Sequence, residues 1–185
     1  MKIVVVLNSE PNCGKDTVAR YMQESYGYTI KEMKGKLYQD VADYYNVPVE
    51  LIKLFHNDRT LKEKPSDFFA GKSPREAMIY VAEQVIKPKY GNNHYAENVF
   101  HEILADKTSG FFVISDGGSP SEEEVIDKYR LHDDLKVKTI YISREQNYIS
   151  KDVRRKFKTI NATIDNNGTL HQLYENIDRI VGIYS

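Results

Sequence analysis

Ile3-Val4-Val5-Val6-Leu7, followed by Asn8-Ser9-Glu10-Pro11-Asn12-Cys13-Gly14-Lys15-Asp16-Thr17, is the stretch on which the fold turns. The apolar run is rich in β-branched residues and does not alternate, as suits a parallel strand buried on both faces. Val18-Ala19-Arg20-Tyr21-Met22 continues as helix, from about Gly14 to Tyr26, with Gly27 placed to stop it. Strand, loop and helix, with Gly-Lys at the loop's end, are the context a phosphate-binding loop needs. Such a loop turns backbone N–H groups toward the anion, and the helix N-terminus adds partial positive charge. Lys15 would reach the outer phosphates as a point charge. The usual pattern is G-x-x-x-x-G-K-S/T. Here Ser9 stands at the first glycine and Asp16 at the hydroxyl position, with Thr17 the nearest hydroxyl. Ser9 fits this place if its φ is negative. The competing reading is an ordinary strand-to-helix turn with a solvated lysine.

Downstream, two further strands are expected at Phe111–Ser115 and Val137–Ile142, with shorter ones at Tyr28–Ile30 and Ala162–Ile164. Helical spacing appears in Leu37–Tyr45, after Pro48, in Asn92–Asp106 and in the last segment after Thr169. Ser73-Pro74-Arg75-Glu76 and Ser119-Pro120-Ser121-Glu122 each spell a capping box with proline at the first helical position. His56 to Lys72 is polar and patternless and reads as a mobile loop. Strands separated by helices imply a parallel sheet with helices on both faces. Ligands of such sheets bind beyond the strands' carboxyl ends. The loop of residues 9–15, Asp116, Arg144 and Asn166 all follow strands, so they should share one sheet edge.

The 185 residues carry 26 basic and 27 acidic side chains, a formal net charge of -1. That balance gives no general attraction to nucleic acid or anionic membrane, so an anion site must be built locally. Cys13 is the sole cysteine, which excludes an internal disulfide and fits a reducing cytoplasm. No apolar run is long enough for a membrane span. His56, His94, His101, His132 and His171 have no metal-ligand spacing and read as surface residues. One domain is the default at this length.

Gly14-Lys15-Asp16-Thr17 resembles the loop variant of phage-type deoxynucleoside monophosphate kinases, members of the P-loop nucleoside monophosphate kinases. Asp58-Arg59 through Lys64-Pro65, then Ser73-Pro74-Arg75-Glu76, resembles the acceptor-side segment of that family. Ile114-Ser115-Asp116 with Pro120 and Glu122 resembles its second acidic strand end. Asp152-Val153-Arg154 looks like the Asp-x-Arg of its lid, and Asn167-Gly168-Thr169-Leu170 like the loop near its adenine. The likeness spans nearly the whole chain in order. It departs at Ser9, and at Gly118, where many relatives have arginine.

The resemblance implies an α/β fold of P-loop NTPase type, three layers around about five parallel strands. It also implies a helical acceptor-side insertion over about 34–108 and a lid over about 144–158. The implied activity is ATP- and Mg²⁺-dependent phosphorylation of a (deoxy)nucleoside monophosphate, in the cytoplasm, with a homodimer left open. Asn12, Cys13, Gly14, Lys15, Asp16 and Thr17 would hold the nucleotide phosphates. Arg144, Asn167 and Gly168 would lie by the adenine. Asp116 and Thr17 would hold Mg²⁺, mostly through water. Arg75 would fork the acceptor phosphate, Arg154 would close over the transferred group, and Asp16 would lie near the acceptor. Two rivals stay open: a kinase of another small acceptor such as dephospho-coenzyme A, and a nucleotide-binding regulatory module with weak turnover. Cys13 also has two readings, a thiolate favoured by the helix N-terminus and Lys15, or an inert thiol beneath the loop.

Overall fold

A computed structural model describes residues 1–58, 60–145 and 156–184. The chain divides into two compact units, one of Met1–Glu32 with Phe100–Ser185, the other of Met33–Val99.

The first unit is an α/β sheet. Strands β1 (Lys2–Asn8), β2 (Thr29–Lys31), β3 (Phe111–Gly117), β4 (Leu135–Ser143) and β5 (Ala162–Asp165) lie in the order β2-β3-β1-β4-β5. Every pairing is parallel. β1 is therefore central, which explains its continuous apolar run: Val4, Val5, Val6 and Leu7 are all fully buried. Val5 and Leu7 meet helices α1 (Lys15–Tyr26) and α8 (Leu170–Tyr184) through Val18, Ala19, Met22, Leu173, Ile177 and Val181. Val4 and Val6 point to the opposite face by strand alternation. Helix α7 (Pro120–Tyr129) buries Val125, Ile126 and Tyr129, and the Tyr129 ring stacks on Phe100 at 4.3 Å. Gly27 ends α1 in the left-handed conformation expected of it.

The register of β1 against β3 carries a bulge. Val6 faces Ile114 while Asn8 faces Gly117, so β3 has one extra residue there. Bulges re-aim side chains at strand ends. Here the bulge falls at Ser115 and Asp116, beside the end of the central strand. A side chain at Gly117 would lie 3.0 Å from Val6 Cγ1 and 3.3 Å from the Leu7 carbonyl oxygen, so glycine allows the close approach.

The second unit is helical. It contains α2 (Gly35–Tyr45), α3 (Val49–Asn57), α4 (Pro74–Tyr80), a π turn over Val81–Ile86 and α5 (Lys87–Tyr90). Helix α6 (His94–Ala105) begins in this unit and ends in the first. The core is Tyr38, Val41, Ala42, Ile52, Phe69, Ala77, Met78 and Val81. Both expected capping boxes form. Ser73 Oγ accepts from Glu76 N–H while Glu76 accepts from Ser73 N–H, and Ser119 and Glu122 do the same.

The patternless reading of residues 56–72 is corrected. A short 3₁₀ turn, Asp67–Phe69, capped by Ser66, drives Phe69 into the core. Its ring meets Tyr45 and Phe55 edge-on. Two adjacent phenylalanines among polar residues carry no periodicity, so the sequence pattern could not show that Phe69 is buried while Phe68 is exposed.

Candidate nucleotide-binding site

The loop of residues 9–15 leaves β1 at the sheet's carboxyl edge. Positive φ occurs at Asn12 (63°) and Gly14 (96°), so the backbone reverses just before α1. Among the described residues Ser9 is not in that class, and its small side chain is fully buried. The condition placed on Ser9 is met. Its hydroxyl also does what a glycine could not: it accepts from Lys15 Nζ at 2.8 Å. Lys15 Nζ donates as well to the carbonyl oxygens of Ser9 (3.0 Å) and Glu10 (3.3 Å). Lys15 is only 8% exposed, so the solvated lysine of the competing reading is corrected. The ammonium group lies inside the mouth of the loop.

Gly14 is constrained twice. Its φ belongs to the left-handed region, which disfavours side chains. A Cβ there would also lie 2.6 Å from Asn166 Nδ2. That amide donates to the Cys13 carbonyl at 2.9 Å, and the Asn166 N–H donates to Ser143 O at 2.8 Å. The end of β5 thus clamps the loop from above.

Cys13 takes the buried alternative. It is 3% exposed, packed with Val5, Leu7, Ile140, Ile142 and Leu173, and its thiol faces the Pro11 carbonyl at 3.8 Å. The reactive thiolate is therefore corrected: the main chain of Cys13 lines the loop, while its sulfur does not. A thiol reagent should label the native protein far more slowly than the urea-unfolded chain, measured by intact mass over time. Equal rates would place the thiol on the surface and contradict this packing.

Asp16 is exposed and Thr17 half-buried in the first turn of α1. Asp116 is half-buried at the bulge of β3. Its neighbour Glu122 accepts from the Gly118 and Ser119 N–H groups, both at 2.7 Å. Burial, and after it the Asp116 charge, hold the Glu122 carboxyl above its usual range, while those N–H groups act in the opposite sense. Arg144 is exposed just after β4. Asn167 Oδ1 accepts from the Glu145 N–H at 2.7 Å, tying the loop after β5 to the residue beside Arg144. Gly168 packs under Gln172, which completes a third capping box with Thr169. The loop residues, Arg144, Asn167 and Gly168 follow strands of the first unit, whereas Asp116, expected after its strand, lies inside β3, one residue before its end.

Arg75 lies in the helical unit. Its Nε donates to Glu63 Oε1 at 2.7 Å, and its N–H donates to the Lys62 carbonyl at 3.2 Å. Arg154, Arg59 and most of the expected lid lie outside the described residues.

Some of the site's supports were absent from the sequence reading. Asn8 is fully buried, and its Oδ1 accepts from the Phe157 N–H at 3.1 Å. Phe157 is itself buried, and its ring would be 3.6 Å from a Cβ on Gly117. Glu123 accepts from the Lys158 N–H. These contacts anchor the chain where it returns to the sheet. Asn8 ends an apolar strand, where an amide is a hint of such a role, but nothing local names its partner.

Among the described residues no three His, Cys, Asp or Glu side chains converge on a metal position, and no helix is long and apolar enough to cross a membrane. His56, His94 and His132 are half-buried rather than on the surface as expected, whereas His101 and His171 are exposed.

The sequence matches no family model and no curated protein. Solved structures do match the fold. TT1252 from Thermus thermophilus superposes with a TM-score of 0.55 at 14% identity, over 100% of this chain and 98% of that one. Dephospho-CoA kinase from Campylobacter jejuni superposes with a TM-score of 0.53 at 15% identity, again over 100% and 98%. At such identities the likeness is one of architecture: this chain has the α/β fold of those proteins, a five-stranded parallel sheet flanked by helices.

Proposed function

We propose that the protein is an ATP- and Mg²⁺-dependent kinase that phosphorylates a (deoxy)nucleoside monophosphate. One observation carries the reading: a strand-loop-helix turn in which Gly14 closes the backbone at φ 96° and Lys15 points its ammonium into the loop mouth. That arrangement gathers N–H donors, a helix N-terminus and a cation on one small volume. Phosphoryl transfer needs little else from a protein, because it is mainly positioning and charge neutralisation. Lys15 would exchange its carbonyl partners for the β- and γ-phosphates. Asn166 would hold the loop in shape while it does so.

Asp116 and Thr17 offer a carboxylate and a hydroxyl, all-oxygen donors of the kind Mg²⁺ takes alongside substrate phosphates. The bulge that turns Asp116 out of register supports that role. When bound, Mg²⁺ supplies charge neutralisation across the β- and γ-phosphates. The acceptor would be held from the helical unit by Arg75, exchanging its exposed ion pair with Glu63 for a fork on the monophosphate. An acceptor phosphate oxygen is already largely ionised at neutral pH, so no general base is required of Asp16. Arg144, Asn167 and Gly168 would flank the adenine, and Arg154 would cover the transferred group. Regions 34–108 and 144–158 would then serve as acceptor-side insertion and lid of one kinase domain, working in the cytoplasm.

A coupled ADP-release assay across the deoxynucleoside monophosphates tests this, with dephospho-coenzyme A as the competing acceptor. Turnover only with the latter would overturn the monophosphate reading. ATP binding without turnover on any acceptor would favour a regulatory module. Arg75→Ala should raise the monophosphate KM about tenfold to a hundredfold, the loss of a charge-assisted fork, with the ATP KM little changed. Equal effects on both constants would remove Arg75 from the acceptor side.

A further inference from the structure

Lys156 opens the segment in which the chain returns to the sheet, and its Nζ rests over the Tyr141 ring, 4.5 Å from the centroid. Tyr141 is half-buried on β4, where the parallel register sets it directly opposite Asn8, the last residue of β1. Neighbouring strands lie about 4.8 Å apart, so Tyr141 stands beside the point at which the loop of residues 9–15 leaves the sheet. A second contact brings Lys156 to the same place. The N–H of Phe157, the next residue in the chain, donates to Asn8 Oδ1 at 3.1 Å. Ser9, which follows Asn8, accepts from Lys15 Nζ through its carbonyl and its hydroxyl. Two lysines therefore approach Asn8-Ser9, one from α1 and one from the returning chain.

The backbone next to Lys156 is held by side chains from three elements. The Lys158 N–H donates to Glu123 of α7, and the Thr159 carbonyl accepts from Arg130 at 3.2 Å. Asn161 donates its N–H to the Thr139 carbonyl at 2.9 Å and accepts from the Thr139 N–H at 2.8 Å. Asn8 and Glu123 are both buried, and burial of such groups is costly unless they are hydrogen-bonded. Their bonds are spent on this segment, which fixes where Lys156 starts. Lys156 itself is exposed, and its ammonium rests on a ring rather than on a carboxylate. By contrast, Lys136 and Lys138 lie opposite Ile3 and Val5, nearer the other end of the strands.

We propose that Lys156 is a second phosphate-binding cation at this loop, exchanging the Tyr141 ring for a phosphate group of a bound nucleoside triphosphate. The proposal rests on the reading of residues 9–15 as a phosphate loop. A magnesium-bound triphosphate remains a polyanion, more than the single Lys15 ammonium offsets. Glu10 makes the need greater. Its carboxylate is exposed at the loop, and after burial its charge holds the Tyr141 hydroxyl above the usual range. Lys156, on that same ring, offsets it. An exposed ammonium gains little from a ring face and more from a charge-assisted bond to phosphate, so the exchange favours the bound nucleotide.

Binding of Mg-ATP to the full chain, measured by calorimetry, tests this. Lys156→Gln should weaken binding about tenfold, the loss of one charge-assisted contact, with the melting point unchanged because the side chain is exposed. Lys156→Arg should recover most of the affinity. Lys136→Gln makes the same change of charge at the far end of β4 and should leave the affinity as it is. Tyr141→Leu removes the ring and keeps the cation, so it should not weaken Mg-ATP. An unaltered affinity in Lys156→Gln overturns the proposal, and so does an equal loss in Lys136→Gln or in Tyr141→Leu. Lys15→Ala tells the two readings apart. Loss of binding there, with Lys156→Gln indifferent, defeats only the second cation. A parent chain that binds no Mg-ATP defeats the phosphate loop, and the second cation with it.

Discussion

Lys15→Ala should lower ADP release by about a hundredfold to a thousandfold, the usual loss when one preorganised donor to a transition-state charge is removed. It should also weaken the fold. The side chain is 8% exposed and donates to Ser9 O, Ser9 Oγ and Glu10 O. Deleting it leaves buried acceptors without this donor, a cost of about 1–2 kcal/mol. For a chain of this size that corresponds to a melting point lower by about 3–6 °C. Lys15→Met keeps most of the stem and should recover part of the stability but none of the turnover. Measuring kcat together with thermal unfolding separates the two effects. A Lys15→Ala protein that turns over at near the parent rate would sink the phosphate-loop assignment.

Gly14→Ala is the second large effect, and it has two separable causes. An alanine at φ 96° is strained wherever it sits, by about 1–3 kcal/mol. Its methyl would also enter the space of Asn166 Nδ2, 2.6 Å away. Asn166 cannot retreat freely, since its N–H is bound to Ser143 O at 2.8 Å. Its side chain must therefore release Cys13 O, which costs about 1 kcal/mol more. The expected results are a melting point lower by about 5–10 °C and ATP binding at least tenfold weaker, because the N–H groups of the loop are re-aimed. Asn166→Ala in the Gly14→Ala background removes the clash but not the strain. The double variant should therefore be less destabilised than the sum of the singles. Strict additivity in thermal unfolding would show that the two residues do not meet. Unchanged ATP affinity would show that this turn does not hold the phosphates.

Much of this architecture was readable because it is local. β1 is a continuous apolar run because it is paired on both sides and covered on both faces, and that composition needs no knowledge of its partners. The boxes at Ser73–Glu76 and Ser119–Glu122 are closed by side chains three residues apart, so their four letters suffice. What stayed hidden is long-range. Asn166 reaches the Cys13 carbonyl, and Asn8 receives Phe157, across most of the chain. The bulge at Asp116 exists only against β1. The competing reading put Lys15 in solvent because lysine usually is; its burial depends on the Ser9 and Glu10 carbonyls turned inward by the loop's own reversal. His56 had no ligand spacing to mark it, and what holds its imidazole below the usual range is first its burial, which only folding creates.

The position of β1 at the centre of the sheet also sets a problem in time. Its partners are β3 and β4, with Ile3 opposite Phe111 and Lys2 opposite Leu135. The most apolar strand is thus made first, and more than a hundred residues must follow before either neighbour exists to pair with it. During translation it has no sheet to join and can bury itself only in transient, local collapse. Such non-local pairing gives a high contact order, and the loop-closure entropy is met before the contacts that repay it. Folding of the sheet unit should therefore be slow and exposed to aggregation at its earliest strand. The strand that aims the loop can pair only once β3 and β4 have arrived.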